Sequence, residues 1–484
     1  MNSQMKQADF DPANITVNAL NDCLDLQRQA YLNDPVPDFA QRKQDLLSLK
    51  KMLSENTEAI IEAINQDYGN RSKHESMFAE ILVTLDGINF VIKKLKRWMK
   101  VQRRAIDSTM YPGARNRVIP QPLGVVGIIV PWNFPIQLSF APLTFIFAAG
   151  NRAMVKMSEN SRHLSRLLME LSPKYFPADK LSFFEEIGGV GIQFSQLPFD
   201  HLLFTGSGAT GKAVMASAAK NLTPVTLELG GKSPAVIGQD YPMKKAVERI
   251  LFVKTYNAGQ ACVSVDYIFI PENRVDEFVS EARAWINTHC PDINSIDYTS
   301  IIDQSAYERL QQALEDARQQ DATVINLTEG QESTDGMRKI GLHLVLNPKD
   351  EMIVLQREIF GPILPILSYT EPQQVVEYIN SRDRPLSFYP FTNDKKLQNF
   401  YLDRVMSGGC CINDAMLHVA QHDLPFGGVG ASGMGHYHGY EGFVTFSKLR
   451  PVHYQAGVSA MKYLAPPYGK LATKVMDILL KLKS

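Results

Sequence analysis

Apolar positions recur at helical spacing in two long segments near the start of the chain. Residues 37–66 carry Leu and Ile at intervals of three and four, which predicts an amphipathic helix. Residues 74–101 repeat the pattern and end in a basic run at 93–97, which predicts a second helix. Cationic side chains suit a helix C-terminus because they interact favourably with the helix dipole.

From residue 125 the pattern changes to short, continuous apolar runs separated by helical segments. Such runs are typical of strands that are buried on both faces of a parallel sheet. The predicted order is strand 125–130, helix 136–149, strand 152–156, a helix from Ser161, strand 202–205, a helix to Ala219 and strand 225–228. Strands that alternate with helices predict a doubly wound α/β sheet.

A second series of the same kind begins near Ser233. The predicted elements are helix 243–258, strand 267–270, helix 305–320, strands 341–346 and 363–368, and helices near 372–380 and 395–404. A short amphipathic helix with several lysines is predicted at 469–483. Such a helix can contact a membrane surface, but packing against protein is the commoner case. At 484 residues the chain is long enough for two or three domains.

Composition excludes several classes of function. The 50 basic residues balance 51 acidic ones, so no basic stripe points to nucleic acid. The longest apolar stretch, 134–150, is too short and too polar to span a membrane, for which ~20 apolar residues are needed. Residues 1–12 are polar and have no signal-peptide core.

The cysteines favour a reducing cytoplasm. There are five of them, too few and too scattered for a disulfide framework, and no CxxC or HExxH spacing indicates zinc. The neighbouring pair Cys410 and Cys411 is interpreted as small apolar filler in a buried strand.

One cysteine stands out for its chemistry. Cys262 follows Gly259 and Gln260 between a predicted helix and a predicted strand, which places it on a loop. A thiol can attack a carbonyl and hold it as a covalent adduct, although most lone cysteines are simply buried. The helix C-terminus before it would not lower the thiol pKa, so activation must come from a base or from backbone amides.

Three further features leave alternatives open. The GxGxxG turn at 206–211 fits a dinucleotide site but also any tight turn that needs glycine. Glu228 lies 17 residues after Gly211, where an acid often holds the ribose of NAD, but it could equally face Cys262 as a general base. Asn133, between two prolines, could donate to an oxyanion, but the residues alone favour a helix cap.

Four motifs, taken in order, resemble the aldehyde dehydrogenase superfamily and its class-three branch. They are PWNFP at 131–135, TLELGGKSP at 226–234, GQAC at 259–262 and EIFGP at 358–362. The class-three features are a short N-terminal arm, LTPVT at 222–226 and GMGHYHG at 433–439. The resemblance implies an α/β fold with a Rossmann-type cofactor domain, a second α/β catalytic domain and a small oligomerisation segment.

The resemblance also assigns roles to residues. It implies that Cys262 is the nucleophile, Glu228 the general base and Asn133 the oxyanion donor, which replaces the capping interpretation. NAD, with NADP as an alternative, is the implied cofactor. Its implied binding residues are Lys156, Glu159, Gly206, Ser207, Gly211, Glu358 and Phe360. The charge of Glu159 near the ribose disfavours a 2′-phosphate.

Domain boundaries and partners follow from the same resemblance. Residues 1–229 are expected to form the N-terminal helices and the dinucleotide-binding domain, 230–415 the catalytic domain, and 416–484 the return to the cofactor domain, an oligomerisation strand and the tail. Segments 107–117 and 447–455 resemble intersubunit strands, so a homodimer is expected.

The expected reaction is oxidation of an aldehyde to an acid through a cysteine thioester. Phe134, Phe252 and Tyr437 match positions that line the substrate tunnel in relatives, although ordinary core packing explains them as well. Three rings would suit an aromatic or cinnamyl aldehyde such as coniferyl aldehyde. The alternatives are a medium- or long-chain aliphatic aldehyde, transfer of the acyl group to coenzyme A, a cysteine hydrolase, or a non-catalytic protein with this fold.

Overall fold

A computed structural model describes residues 17–331, 333–334, 336–457, 459 and 465–484. The prediction for residues 1–12 lies outside this part. In the described chain the helices are Val17–Asn33, Phe39–Glu55, Thr57–Tyr68, Lys73–Ser76, Val83–Trp98, Gln137–Ala149, Arg162–Tyr175, Val190–Ser195, Gly208–Ala219, Met243–Thr255, Val275–His289, Gln304–Gln319, Ile353–Gln356, Pro372–Asn380, Lys395–Arg404, Gly439–Thr445 and Lys470–Lys483. A π-helix spans Met77–Leu82, and 3₁₀ turns span Tyr256–Gly259, Glu272–Arg274 and Leu417–Ala420.

A six-stranded sheet contains the first predicted α/β series. Its strands lie side by side in the order Gly433–Met434, Val225–Leu229, His201–Gly206, Val125–Ile129, Arg152–Lys156 and Leu181–Phe184. All neighbours are parallel except Gly433–Met434, which runs antiparallel to Val225–Leu229. The strand order reverses between Val125–Ile129 and His201–Gly206, and such a switch opens a ligand crevice at the carboxyl ends of the strands.

A seven-stranded sheet contains the second series. Its strands lie in the order Thr323–Asn326, His343–Leu346, Ile363–Tyr369, Tyr267–Pro271, Pro234–Ile237, Ser387–Phe391 and Gly409–Cys410. Only Thr323–Asn326 pairs antiparallel. Both faces are covered by helices, which explains why the strands are apolar throughout.

A third sheet is small and antiparallel. Arg115–Pro122 lies between Gln102–Arg104 and the strand Ser447–Tyr454. The segment 447–455 therefore coincides with a strand, but 107–117 overlaps one only at its last three residues. Residues 107–113 form turns instead, where the Asp107 side chain accepts from the amides of Thr109 and Met110.

Three predicted helices differ from the structure. The helix predicted over 37–66 is broken at Asn56, whose side chain bonds to the carbonyl of Met52 and so competes with the helical ladder. The helix predicted over 74–101 contains the π-helix and ends at Trp98. The helix predicted over 243–258 ends at Thr255, because Asn257 and Ala258 have positive φ.

The interpretation of the cysteine pair is partly wrong. Cys410 lies on a strand of only two residues, Cys411 lies just beyond it, and both side chains are half-buried. Among the described residues, no helix is both long enough and apolar enough to cross a membrane.

Candidate active site

The loop before Cys262 is fixed in an uncommon conformation. Asn257 and Ala258 each have φ 51°, and Gly259 has φ 73°. A Cβ at Gly259 would lie 2.5 Å from the carbonyl oxygen of Gly361, so only glycine fits there. The side chain of Gln260 then donates to the carbonyls of Asn257 at 2.9 Å and Ser300 at 3.0 Å, which holds the loop against the rest of the domain.

The Cys262 thiol is half-buried and opens into a cavity. Burial, followed by the negative charges of Glu358 and Glu228, raises its pKa to about 12. The free thiol is therefore neutral near pH 7. Both carboxylates lie near enough to the thiol for their charge to act on it.

Glu228 carries an unsatisfied carboxylate. Its side chain lies on the strand Val225–Leu229 and is 3% exposed, and neither carboxylate oxygen has a hydrogen-bond partner among the described residues. Burial raises its pKa well above the ordinary value. A buried acid without partners costs stability, so such groups concentrate at functional sites.

The backbone carbonyl of Asn133 receives three hydrogen bonds. Tyr68 Oη donates at 3.2 Å, Arg71 Nη1 at 2.9 Å and Asn257 Nδ2 at 3.3 Å. The Asn133 amide Nδ2 lies 3.4 Å from the carbonyl oxygen of Gln260, two residues before the thiol. These bonds fix Asn133 beside the cysteine loop.

The capping interpretation of Asn133 is wrong because another residue caps that helix. The carboxylate of Glu80 accepts from the backbone amides of Ile136 at 3.0 Å and Gln137 at 2.8 Å. Glu80 also pairs with Arg71 at 3.1 Å, and both side chains are fully buried. No sequence spacing marks this pair, which sequence reasoning missed.

An apolar cavity leads to Cys262. It encloses about 750 Å³ including its open mouth, and its walls come from the π-helix region, the start of helix Gln137–Ala149 and the 3₁₀ turn Leu417–Ala420. Its lining residues are Phe78, Ala79, Val83, Phe134, Gln137, Leu138, Tyr256, Cys262, Val263, Met416, Leu417, Val419, Ala420, Phe426 and Tyr437.

Two of the three predicted tunnel residues line this cavity, Phe134 and Tyr437. The prediction for Phe252 is corrected. Its side chain is 45% exposed and packs on the ring of Tyr256 at 5.6 Å between centroids, and Tyr256 is the ring that reaches the cavity. Helical geometry explains the difference, since Phe252 lies on the outer face of helix Met243–Thr255.

The predicted dinucleotide turn forms the start of a helix. Gly206 ends a strand and Ser207 caps helix Gly208–Ala219, accepting from the amide of Thr210 at 3.3 Å. A Cβ at Gly206 would lie 2.6 Å from the ring of Phe204. Because the first-turn amides of a helix attract anions, this turn fits a pyrophosphate.

Lys156 ends the strand two places from this turn and has a partner that sequence reasoning missed. Its amine lies 2.5 Å from a carboxylate oxygen of Glu186 and is nearly buried. Glu159 is exposed, and it accepts from the hydroxyl of Ser158 at 3.2 Å. A lysine at the end of this strand and an exposed carboxylate three residues later are groups that can bind the hydroxyls of a ribose.

Glu358 and Phe360 approach from the other domain. The carboxylate of Glu358 lies against Gly230, where a Cβ would collide with it. Burial, followed by the charge of Asp266, raises the pKa of Glu358 to about 8. Phe360 has φ 51°, and its ring meets Trp132 edge to face at 5.4 Å.

Comparison with known proteins identifies the family. The aldehyde dehydrogenase family model matches residues 29–452. A probable coniferyl aldehyde dehydrogenase of Pseudomonas aeruginosa is 48% identical over 462 residues, covering 95% of this chain and 96% of that protein. The coniferyl aldehyde dehydrogenase of Pseudomonas sp. strain HR199 is 42% identical, with coverage of 97% and 98%.

A solved structure gives the same fold. The substrate-bound state of Staphylococcus aureus AldH superposes with a TM-score of 0.89 at 34% identity, covering 95% of this chain and 99% of that one. Family 3 aldehyde dehydrogenases of rat and mouse also match, in agreement with the class-three resemblance.

The chain belongs to the aldehyde dehydrogenase family. It is an oxidoreductase that acts on aldehydes with NAD(P), and the predicted α/β fold is confirmed.

Proposed function

We propose that this enzyme oxidises an aromatic or cinnamyl aldehyde, such as coniferyl aldehyde, to the carboxylic acid, with NAD as the preferred cofactor. The observation that carries the proposal is the Cys262 thiol at an aromatic-walled cavity, with the unpartnered carboxylate of Glu228 at the same site. The similarity to two coniferyl aldehyde dehydrogenases of Pseudomonas supports the substrate class.

The thiol is the proposed nucleophile. The Cys262 thiol gives its proton to solvent water, and the resulting thiolate sulfur bonds to the aldehyde carbon while the C=O π pair moves to oxygen, which becomes an oxyanion. Asn133 Nδ2 and the Cys262 backbone amide donate to that oxyanion. One such donor is worth ~2.7–4 kcal/mol of the barrier. The three hydrogen bonds on the Asn133 carbonyl hold its backbone beside the cysteine loop, which supports this role.

NAD, when bound, would supply the hydride acceptor, and the positive charge of its nicotinamide would favour the thiolate of Cys262. Loss of hydride converts the adduct on Cys262 into a thioester. Glu228 then takes a proton from a water molecule, whose oxygen attacks the thioester carbon, and the carbon–sulfur bond breaks to release the acid. Because neither oxygen of Glu228 has a hydrogen-bond partner in the described part of the chain, both can accept from that water.

The cofactor-binding residues are proposed by their placement. Gly206, Ser207 and Gly211 would hold the pyrophosphate, and Lys156 and Glu159 the adenosine ribose. Glu358 would hold the nicotinamide ribose, with Phe360 beside the ring. The carboxylate of Glu159 would repel a 2′-phosphate, which favours NAD over NADP.

We propose the domain boundaries 1–229, 230–415 and 416–484, because each larger sheet draws almost all its strands from one of the first two ranges. The third range returns one strand to the six-stranded sheet and another to the three-stranded sheet.

A cytoplasmic homodimer is the proposed assembly, and the exposed edge strand Ser447–Tyr454 supports it.

The test is a Glu228→Gln enzyme mixed with excess NAD and coniferyl aldehyde. We expect one equivalent of NADH in a fast burst, followed by turnover at least about 100-fold slower than wild type. Trapped thioester on Cys262 should be visible by mass spectrometry, and Cys262→Ala should give neither burst nor adduct. Glu58→Gln, at an exposed glutamate, is the matched control and should turn over normally.

Two results would overturn parts of the proposal. Normal turnover by Glu228→Gln would remove the base assignment. A kcat/KM for acetaldehyde or decanal equal to that for coniferyl aldehyde in the wild-type enzyme would remove the aromatic substrate.

A further inference from the structure

The apolar cavity contains few polar groups. The thiol of Cys262 and the hydroxyl of Tyr437 line the cavity together, and burial, followed by the charges of Glu228 and Cys262, raises the pKa of Tyr437. The hydroxyl of Tyr256 is already used, because it donates to the backbone carbonyl of Glu75 at 2.8 Å. The side-chain amide of Gln137 is the remaining polar group among the lining residues.

Gln137 is held by contacts that leave its donor side free. Its Oε1 accepts from the hydroxyl of Thr84 at 2.5 Å, and its backbone amide donates to Glu80 at 2.8 Å. Its Nε2 donates to no acceptor in the part of the chain that the structure describes. With Oε1 facing the Thr84 hydroxyl, the two N–H donors of Nε2 remain for a ligand.

Gln137 lies about one helical turn along the chain from Asn133, the proposed oxyanion donor. It follows Phe134 by three residues, and the bond from the Leu138 amide to the Phe134 carbonyl at 2.8 Å shows that this stretch is already helical. Residues three apart on a helix lie on one face, about 5–6 Å apart. Phe134 and Gln137 therefore line the same wall, and Gln137 is a full turn beyond Asn133.

We infer that Gln137 is a specificity-determining residue whose Nε2 donates to an oxygen substituent on the far end of an aromatic aldehyde. This inference rests on the proposed function and narrows its substrate class to ring-oxygenated cinnamaldehydes. A donor in an otherwise apolar wall discriminates strongly, because a substrate without the oxygen leaves the amide desolvated and unpaired.

The experiment compares two substrates of equal size, 4-methoxycinnamaldehyde and 4-ethylcinnamaldehyde. The ether oxygen can only accept a hydrogen bond, so it reports on a donor. We expect wild-type kcat/KM to favour the methoxy compound by about 3- to 10-fold, the worth of one neutral hydrogen bond. In Gln137→Leu the ratio should fall to about 1.

A second variant protects the test against misfolding of the first. Gln137→Glu keeps the acceptor for Thr84 and removes the donor, so the ratio should fall there too. Gln311→Leu makes the same change as the first variant on an exposed helix face and should keep the wild-type ratio.

Gln137 also lines a smaller neighbouring cavity beside His422 and His438. If its amide points into that smaller cavity instead, the wild-type kcat/KM values for the methoxy and ethyl compounds will be about equal, and neither Gln137 variant will change their ratio. That result overturns the inference. Oxidation of both compounds at equal rates leaves the proposed function standing. A wild-type enzyme that reduces NAD with aliphatic aldehydes but with no cinnamaldehyde refutes the proposed function itself.

Discussion

Burial and charge keep the Cys262 thiol protonated in the free enzyme. Of the two carboxylates that act on it, Glu358 has the larger influence after burial, and neither forms a salt bridge among the described residues. Removing one negative charge should stabilise the thiolate and lower the pKa of Cys262.

We therefore predict faster alkylation of Cys262 in Glu358→Gln. At pH 9, above the pKa of about 8 for Glu358, wild type carries the charge and the variant does not. Iodoacetamide should modify Cys262 about tenfold faster in the variant, measured by peptide mass spectrometry without cofactor. Glu351→Gln, at an exposed glutamate nearby, should leave the rate unchanged. If Cys262 is alkylated no faster in Glu358→Gln than in Glu351→Gln, the charge of Glu358 does not control the thiol pKa.

Glu80 links two elements that lie far apart in sequence. From the π-helix it caps helix Gln137–Ala149 and neutralises Arg71, whose guanidinium packs 5.0 Å from the rings of Tyr68 and Phe134. The same side chain therefore joins the N-terminal helices to the wall of the cavity.

Glu80→Ala should destabilise the protein by about 3–5 kcal/mol, because Arg71 is left buried without its counter-ion. The exposed pair of Glu58 and Lys73 has a shorter distance of 2.7 Å, yet Glu58→Ala should cost less than about 1 kcal/mol. Urea unfolding followed by circular dichroism measures both. If the free energy of unfolding falls by a similar amount in Glu80→Ala and Glu58→Ala, burial does not determine how much these ion pairs contribute to stability.

The elements were predictable where a local pattern fixes them. The strands at 125–130, 152–156 and 225–228 are apolar runs with clear ends, and they lie within one residue of the predicted positions. Helix ends at Asn56 and Thr255 depend on side-chain bonds and on positive φ values that periodicity does not encode. Helix Val275–His289 has an ordinary amphipathic pattern and was overlooked.

The residues of the candidate site also fall into those that the sequence predicts and those that only the fold reveals. Cys262 and Glu228 stood out as reactive residue types beside glycine-rich loops, and family motifs supplied the roles. Glu186, Arg71 and Glu80 could not be predicted, because each acts through a partner brought close only by tertiary packing. Phe252 and Tyr256 share one helical region, and only the fold decides which ring turns inward.

At the scale of the whole molecule, each of the three sheets is associated with a different part of the proposed function. The switch point of the six-stranded sheet faces the residues proposed to bind the cofactor, the cysteine loop leads into the seven-stranded sheet, and Ser447–Tyr454 is an edge strand of the three-stranded sheet among the described residues. An unpaired edge strand invites pairing with another chain.

The proposed homodimer predicts a mass near twice 54.2 kDa by light scattering at micromolar concentration. Tyr454 is 46% exposed on the edge strand, and Tyr454→Asp should shift the population to monomer. Leu222→Asp, at an 89% exposed site away from that strand, should remain dimeric. A wild-type monomer would refute the assembly, and a dimeric Tyr454→Asp would exclude this edge from the interface.

The buried carboxylate of Glu228 makes the stability of the enzyme and its turnover rate depend on pH in opposite directions. Its pKa is raised in the folded state, so the native protein holds that proton more tightly than the unfolded chain does. The contribution of Glu228 to the free energy of unfolding is thus greatest at acidic pH. Above the ordinary glutamate pKa it falls by about 1.4 kcal/mol per pH unit, until the buried group ionises. Deacylation needs the ionised form, so alkaline conditions that quicken turnover should also shorten the working life of the enzyme.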